Sequence, residues 1–244
     1  MMLTAVFAVA LACAAGNGAR SDAAVARRAL DPIGVFDSGV GGMTVLERML
    51  KMDVYNNESG ERKSDGRPDF EGERFVYYGD QANMPYGNYA AAGKSEYLKK
   101  LIAADAEFLL SKKSKALVIA CNTATAWGID VVSERAKKDD VPVVGVIGAG
   151  VLSVLSMDGV ASAEGDVSIG VMATPGTIAS GAYERMILAE AKKRGIKARI
   201  RVSRRGARAW RMLWKQGRPM PVKSPLRTTA NFCPNTGRTL RQVL

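Results

Sequence analysis

Residues 115–124, Lys-Ala-Leu-Val-Ile-Ala-Cys-Asn-Thr-Ala, constrain the fold of this chain more than any other segment. An apolar run of strand length stops abruptly at a cysteine and two small polar residues. A helical stretch follows, expected from about Thr123 to Lys138. A buried strand that feeds a helix in this way is the repeating unit of a parallel α/β sheet. In such sheets ligands bind beyond the carboxyl ends of the strands, which is where Cys121 falls. Asn122 or Thr123 is then expected to cap the helix. The partial positive charge of the helix N-terminus would favour the thiolate.

The rest of the chain repeats the alternation. Order is expected from Pro32. Ile33–Asp37 reads as a strand, Ser38–Gly42 as a tight turn, and Met43–Met52 as a helix with Met43, Leu46, Met49 and Leu50 on one face. The polar stretch 54–73 has no period and reads as a loop. Arg74–Tyr78 is a second strand, followed by Gly79-Asp80, and Met84-Pro-Tyr-Gly87 is a turn. Lys94–Ser111 is an amphipathic helix whose stripe of Leu98, Leu101, Ile102, Phe108 and Leu109 is interrupted by Asp105. Val141–Ile147 is a strand, Gly148–Met157 a short helix, and Val167–Met172 a strand. A helix is expected from about Ile178 to Arg194, and Ile196–Val202 reads as one more strand.

Charge and composition narrow the chemistry. The 244 residues carry a net charge of +11, but 16 of the 35 basic residues lie after position 190, where there is no Asp or Glu. The body is mildly acidic and the tail strongly basic. Beyond Ser203 neither helical nor strand periodicity persists. Three scattered cysteines form neither a disulfide framework nor a zinc spacing. No histidine is present, which removes the commonest general base, the commonest metal ligand and every Ser-His or Cys-His dyad. Residues 3–15 are uncharged and small or apolar, too short to span a bilayer. They resemble the core of a secretory or organelle-targeting signal without its preceding positive charge.

Asp37-Ser38-Gly39 follows a strand just as Cys121-Asn122-Thr123 does, so both groups reach the same edge of a parallel sheet. Asp37 could orient a substrate ammonium, and Ser38, Asn122 and Thr123 could donate to a carboxylate. Alone, the glycine turn reads as strand-to-helix punctuation; it lacks the Lys-Ser/Thr ending of a P-loop and the dinucleotide spacing. Cys121 alone reads as a buried structural thiol.

Four segments in order change that balance. They are Ile33-Gly-Val-Phe-Asp-Ser-Gly-Val-Gly-Gly42, Tyr78-Gly-Asp-Gln-Ala-Asn-Met-Pro-Tyr-Gly87, Ile119-Ala-Cys-Asn-Thr-Ala124 and Gly170-Val-Met-Ala-Thr-Pro-Gly-Thr-Ile-Ala-Ser-Gly-Ala-Tyr183. Together they resemble the glutamate racemase family of the aspartate/glutamate racemase superfamily, over about Pro32 to Arg201. The resemblance implies two similar parallel-sheet α/β domains with the site between them, the second incomplete in this chain. It divides the chain into a leader or targeting segment (1–31), a first α/β racemase domain (32–148), a partial second domain (149–202) and a basic tail foreign to the fold (203–244).

The implied chemistry is cofactor-independent and metal-free. One cysteine thiolate removes the α-proton of glutamate and a second thiol returns a proton to the opposite face, supplying D-glutamate for peptidoglycan in the cytoplasm. By resemblance Cys121 is the first of the two and Asp37 supports it. Asp37, Ser38, Tyr86, Gly87, Asn122 and Thr123 would hold the amino acid, with Thr174 and Thr177 near the site. A homodimer is a further expectation. The family's second cysteine stands in a Cys-Thr-His-Tyr-Pro segment that this chain lacks. Cys233 lies 112 residues after Cys121 but within Ala230–Thr236, without a preceding apolar strand. Impaired racemisation is therefore expected. Two other readings remain at this stage: a non-catalytic homologue that keeps the ligand pocket, and nucleic-acid binding through the cluster from Arg199 to Arg218 with Trp210 and Trp214, which is disfavoured.

Overall fold

The computed structural model describes residues 30–206 and 240–243. Two parallel sheets carry the architecture. The first has the order β2-β1-β3-β4, built from β1 (Ile33–Asp37), β2 (Phe75–Gly79), β3 (Ala116–Ile119) and β4 (Val143–Gly145). The second has the order β6-β5-β7, from β5 (Asp166–Ala173), β6 (Arg199–Gly206) and β7 (Leu240–Val243). Every pairing is parallel; Ile33 faces both Phe75 and Ala116, and Phe36 faces both Tyr78 and Ile119. The expected α/β class with parallel sheets is thus what the chain adopts.

Side-chain alternation decides which helices cover which face. Ile33 and Val35 of β1, with Val118 and Ala120, pack beside Met49 of α1 (Met43–Leu50). Phe36, Leu117 and Ile119 point the other way, onto α2 (Tyr86–Ala91), α3 (Ser95–Ser111) and α4 (Asn122–Lys137). All five residues of β1 are buried, as a central strand covered on both faces requires. In β5, Val167, Ile169 and Val171 turn toward α5 (Val146–Leu155), α6 (Asp158–Ala161) and α8 (Ala182–Lys193), whereas Met172 is exposed.

Several expectations change in detail. Met43 and Leu50 are exposed, because the eight-residue α1 buries a narrower face of Val45, Leu46 and Met49. Phe108 is also exposed; it lies on Tyr78 with ring centroids 4.8 Å apart, under Lys112. The single helix expected over 178–194 is two, α7 (Pro175–Ser180) and α8, because Gly181 between them takes φ +65°. That left-handed conformation suits glycine and ends the first helix. β6 runs on to Gly206, past the point where periodicity fades.

Residues 1–29 of the leader lie outside the described residues, as do 207–239 of the basic tail with Trp210, Trp214 and Cys233; within the tail, residues 203–206 continue β6 and Leu240–Val243 form β7, both paired with β5. Of the arginine cluster, Arg199 and Arg201 both pair with Asp166, and Arg204 pairs with Glu184. Among the described residues no helix is long and apolar enough to cross a membrane.

Candidate functional site

From β1 the first sheet grows outward to β2 on one side and to β3 and β4 on the other. The helical connections therefore leave β1 and β3 in opposite directions, which opens a crevice beyond their carboxyl ends. Asp37 is the last residue of β1, and Cys121 lies two residues beyond the end of β3.

The turn after β1 is pinned by the N–H of Gly42, which donates to Asp37 Oδ2 at 2.8 Å. A Cβ on Gly42 would stand 2.7 Å from Asp37 Cβ and 2.8 Å from Ala120 Cβ, so a larger residue would push the turn off the sheet. This holds Ser38 over the crevice, where Ser38 Oγ and Cys121 Sγ share a hydrogen bond at 3.4 Å. Tyr77 Oη donates to the carbonyl of Gly39 at 3.3 Å and ties the same turn to β2.

Cys121 itself is the cap of α4: its Sγ accepts from the Ala124 N–H at 3.4 Å. That corrects the expectation that Asn122 or Thr123 caps the helix. The ease of ionisation expected of this thiol is corrected as well. Burial pushes the Cys121 thiol above its ordinary value, and the Asp37 carboxylate pushes the same way. The hydrogen bonds from Ser38 and Ala124 oppose the shift but do not outweigh desolvation. These shifts favour the thiol, while Ser38 and the Ala124 N–H stand ready to stabilise a thiolate.

Thr123, Thr174 and Thr177 form a triangle of hydroxyls, with Oγ1 separations of 3.2, 3.0 and 3.1 Å. It joins the start of α4 to the start of α7, where Thr174 Oγ1 also caps the helix by accepting from the Thr177 N–H. Gly87 comes to the same place, since a Cβ there would stand 3.1 Å from Thr174 Oγ1. Gly176 lies so close to α2 that its Cβ would meet the Gly87 carbonyl oxygen at 2.7 Å. Trp127 Nε1 donates to the Gly176 carbonyl at 3.0 Å and closes the joint. Asn122 is exposed, and its Oδ1 accepts from Tyr183 Oη at 2.7 Å.

Seven of the eight sequence-selected residues, Asp37, Ser38, Gly87, Asn122, Thr123, Thr174 and Thr177, therefore gather with Cys121 at one sheet edge and the joint beside it. Tyr86 does not present its side chain there. The ring is fully buried, and its hydroxyl lies 2.6 Å from both Asp80 Oδ2 and Asp105 Oδ2. The hydroxyl is engaged by two buried carboxylates rather than by the crevice. Sequence reasoning missed Tyr77, Trp127 and Tyr183, whose bonds span 38, 49 and 61 residues and leave no local signature. Only Tyr183 carried a hint, standing two residues after Gly181 at the start of a helix.

No family model matches the chain. A glutamate racemase from Streptococcus thermophilus is 40% identical over 157 residues, which is 64% of this chain and 46% of the relative. One from Levilactobacillus brevis is 36% identical over 162 residues, 66% of this chain and 48% of the relative. The chain thus spans about half the length of the curated relatives it matches. Among solved structures, glutamate racemase from Francisella tularensis in complex with D-glutamate superposes with a TM-score of 0.52 at 32% identity, covering 77% of this chain and 57% of that one. Glutamate racemase from Aquifex pyrophilus gives 0.50 at 32% identity, covering 70% and 54%. By sequence over nearly two thirds of its length, and by fold, the chain is similar to glutamate racemases.

Proposed function

We propose that this chain supplies one half of a cofactor-independent glutamate racemase site, with Cys121 as the acid/base for one face of the substrate α-carbon. The carrying observation is the placement of Cys121 Sγ at the β1/β3 crevice, hydrogen-bonded to Ser38 and to the N-terminus of α4. Its surroundings suit an amino acid. Asp37 offers a carboxylate to an α-ammonium; Ser38, Asn122 and Thr123 offer donors to the carboxylates.

The electrostatics give the reaction an order. Without ligand, burial and Asp37 keep the proton on sulfur. An ammonium placed between them would neutralise the repulsion from Asp37 and lower the thiol's proton affinity. The thiolate would then take the α-proton to sulfur, leaving a carbanion whose charge spreads onto the substrate carboxylate beside fixed donors. In the reverse step the thiol returns the proton to the same face.

Full inversion needs a second donor on the far face. The chain has no histidine, and Cys233 lacks the sequence setting of the family's second cysteine. The proposal is therefore α-proton exchange on one enantiomer with little net racemisation, a reduced form of the chemistry that feeds peptidoglycan synthesis. Calorimetry with L- and D-glutamate, paired with polarimetric interconversion assays, tests this reading. Binding with slow interconversion agrees with it, whereas interconversion at rates usual for enzymes, on the order of 10 per second, refutes the one-sided account.

A further inference from the structure

The buried carboxylates Asp80 and Asp105 are used by nothing in the proposed chemistry, yet both reach the same phenol. Each places Oδ2 2.6 Å from Tyr86 Oη, and each residue is only 4% exposed. A tyrosine hydroxyl has one hydrogen to give and two lone pairs with which to accept. It can donate to one carboxylate alone; the second short contact requires a hydrogen that comes from the other carboxyl group. Two ionised carboxylates would leave lone pair against lone pair at hydrogen-bond distance in a buried site.

The remaining bonds say which group keeps the proton. Asp80 also accepts from Asn83 Nδ2, at 2.9 Å to Oδ1 and 3.0 Å to Oδ2, as an ionised carboxylate would. Asp105, in the middle of α3, is bonded to Tyr86. We propose that Asp105 carries a proton in mildly acidic solution, up to the edge of neutrality, and donates it to Tyr86, which donates in turn to Asp80, and that this carboxyl–phenol–carboxylate chain makes Asp105 a positioning residue for the site.

The surroundings agree. Burial, with the neighbouring Asp80 carboxylate, pushes Asp105 up to about 7, against the opposing pull of Tyr86. Burial, with the same two carboxylates, raises Tyr78 of β2 and Tyr86 of α2, so the phenols stay protonated. From β1 the only ionisable side chain is Asp37, which faces the Ser38–Gly42 turn. From α4, Arg135 is taken up by Glu107 and Asp139.

The positioning follows from the chain path. Asp80 begins the turn after β2, and its N–H donates to the carbonyl of Asp37 at 2.9 Å. Tyr86 ends that turn, immediately before Gly87 and its contact with Thr174. One proton thus secures both ends of a turn that runs from Asp37 to the hydroxyl triangle. The proton count itself does not depend on the racemase reading; only its consequence for glutamate does.

Infrared spectra of the full chain at about pH 6, where exposed carboxyls are ionised, are expected to show the carbonyl stretch of a protonated carboxyl. The band should fade through about pH 7 and be missing from Asp105→Asn. Its absence from the wild type overturns the proposal, so the test survives even if the variant does not fold. Unfolding gives a second readout. A folded-state pKa raised above the unfolded value makes stability greatest at low pH and lost as pH rises. The unfolding constant should therefore rise up to tenfold per pH unit between about 4 and about 7 from this group alone. Asp105→Asn should remove that component, and an unchanged pH dependence in the variant counts against the proposal. If both readouts hold while neither protein exchanges the α-proton of glutamate, the racemase reading fails and the proton assignment stands.

Discussion

Replacing Gly176 by alanine probes the joint on which the candidate site depends. The new Cβ would meet the Gly87 carbonyl oxygen at 2.7 Å, the Gly87 Cα at 2.9 Å and the Ala90 Cβ at 3.0 Å. Two of these are backbone atoms and cannot rotate away. To restore ordinary contact at about 3.5 Å, α2 and α7 must part by roughly 0.8 Å. Overpacking of this kind costs about 1–3 kcal/mol, while alanine in place of glycine within a helix returns at most about 1 kcal/mol. The net expectation is a loss of about 1–2 kcal/mol. Gly165→Ala is the control, since nothing lies within 4 Å of a Cβ there. Urea unfolding of both variants measures the difference, and the Trp127 indole N–H resonance reports whether its bond to the Gly176 carbonyl is disturbed. If Gly176→Ala is as stable as Gly165→Ala and the Trp127 resonance does not move, the close approach of α2 and α7 is wrong.

The remaining predictions concern the crevice. Gly79→Ala would drive a Cβ to within 2.5 Å of the Gly39 carbonyl oxygen. It should displace the Ser38 turn and weaken glutamate binding by more than it lowers stability, as paired calorimetry and unfolding would reveal. Alkylation of Cys121 by iodoacetamide should show a midpoint above the ordinary thiol value of about 8.5 in the absence of ligand. Ser38→Ala, which removes a bond to the thiolate, should raise that midpoint further, and Asp37→Asn, which removes the nearby negative charge, should lower it. Opposite movements would reverse the electrostatic order argued for the site.

The strands up to β6 and their order along the sequence were legible because short unbroken apolar runs such as Leu117–Ala120 can be read locally, whereas β7 lies where no period was visible. So was the crevice, since Asp37 and Cys121 each end such a run. The hydroxyl triangle was legible only as scattered threonines: the contact of Thr123 with Thr177 crosses 54 residues and depends on how the two sheets meet. Asp105 looked like a flaw in an apolar stripe, because its partner Tyr86 belongs to another helix and was assigned to the ligand instead. The helix-terminus argument for Cys121 failed for a different reason. It counted the dipole and not burial, and only the folded chain reveals how thoroughly the sulfur is removed from water.

The central claim is that Cys121 exchanges one proton with the α-carbon of glutamate. Proton NMR of L- and D-glutamate incubated with the protein in deuterium oxide measures that step alone, without requiring inversion. The expected result is loss of the α-proton signal from one enantiomer, with retention of configuration, and no loss with Cys121→Ala although that variant still binds the ligand. Exchange that persists in Cys121→Ala, or none in the wild type at saturating glutamate, would contradict the account.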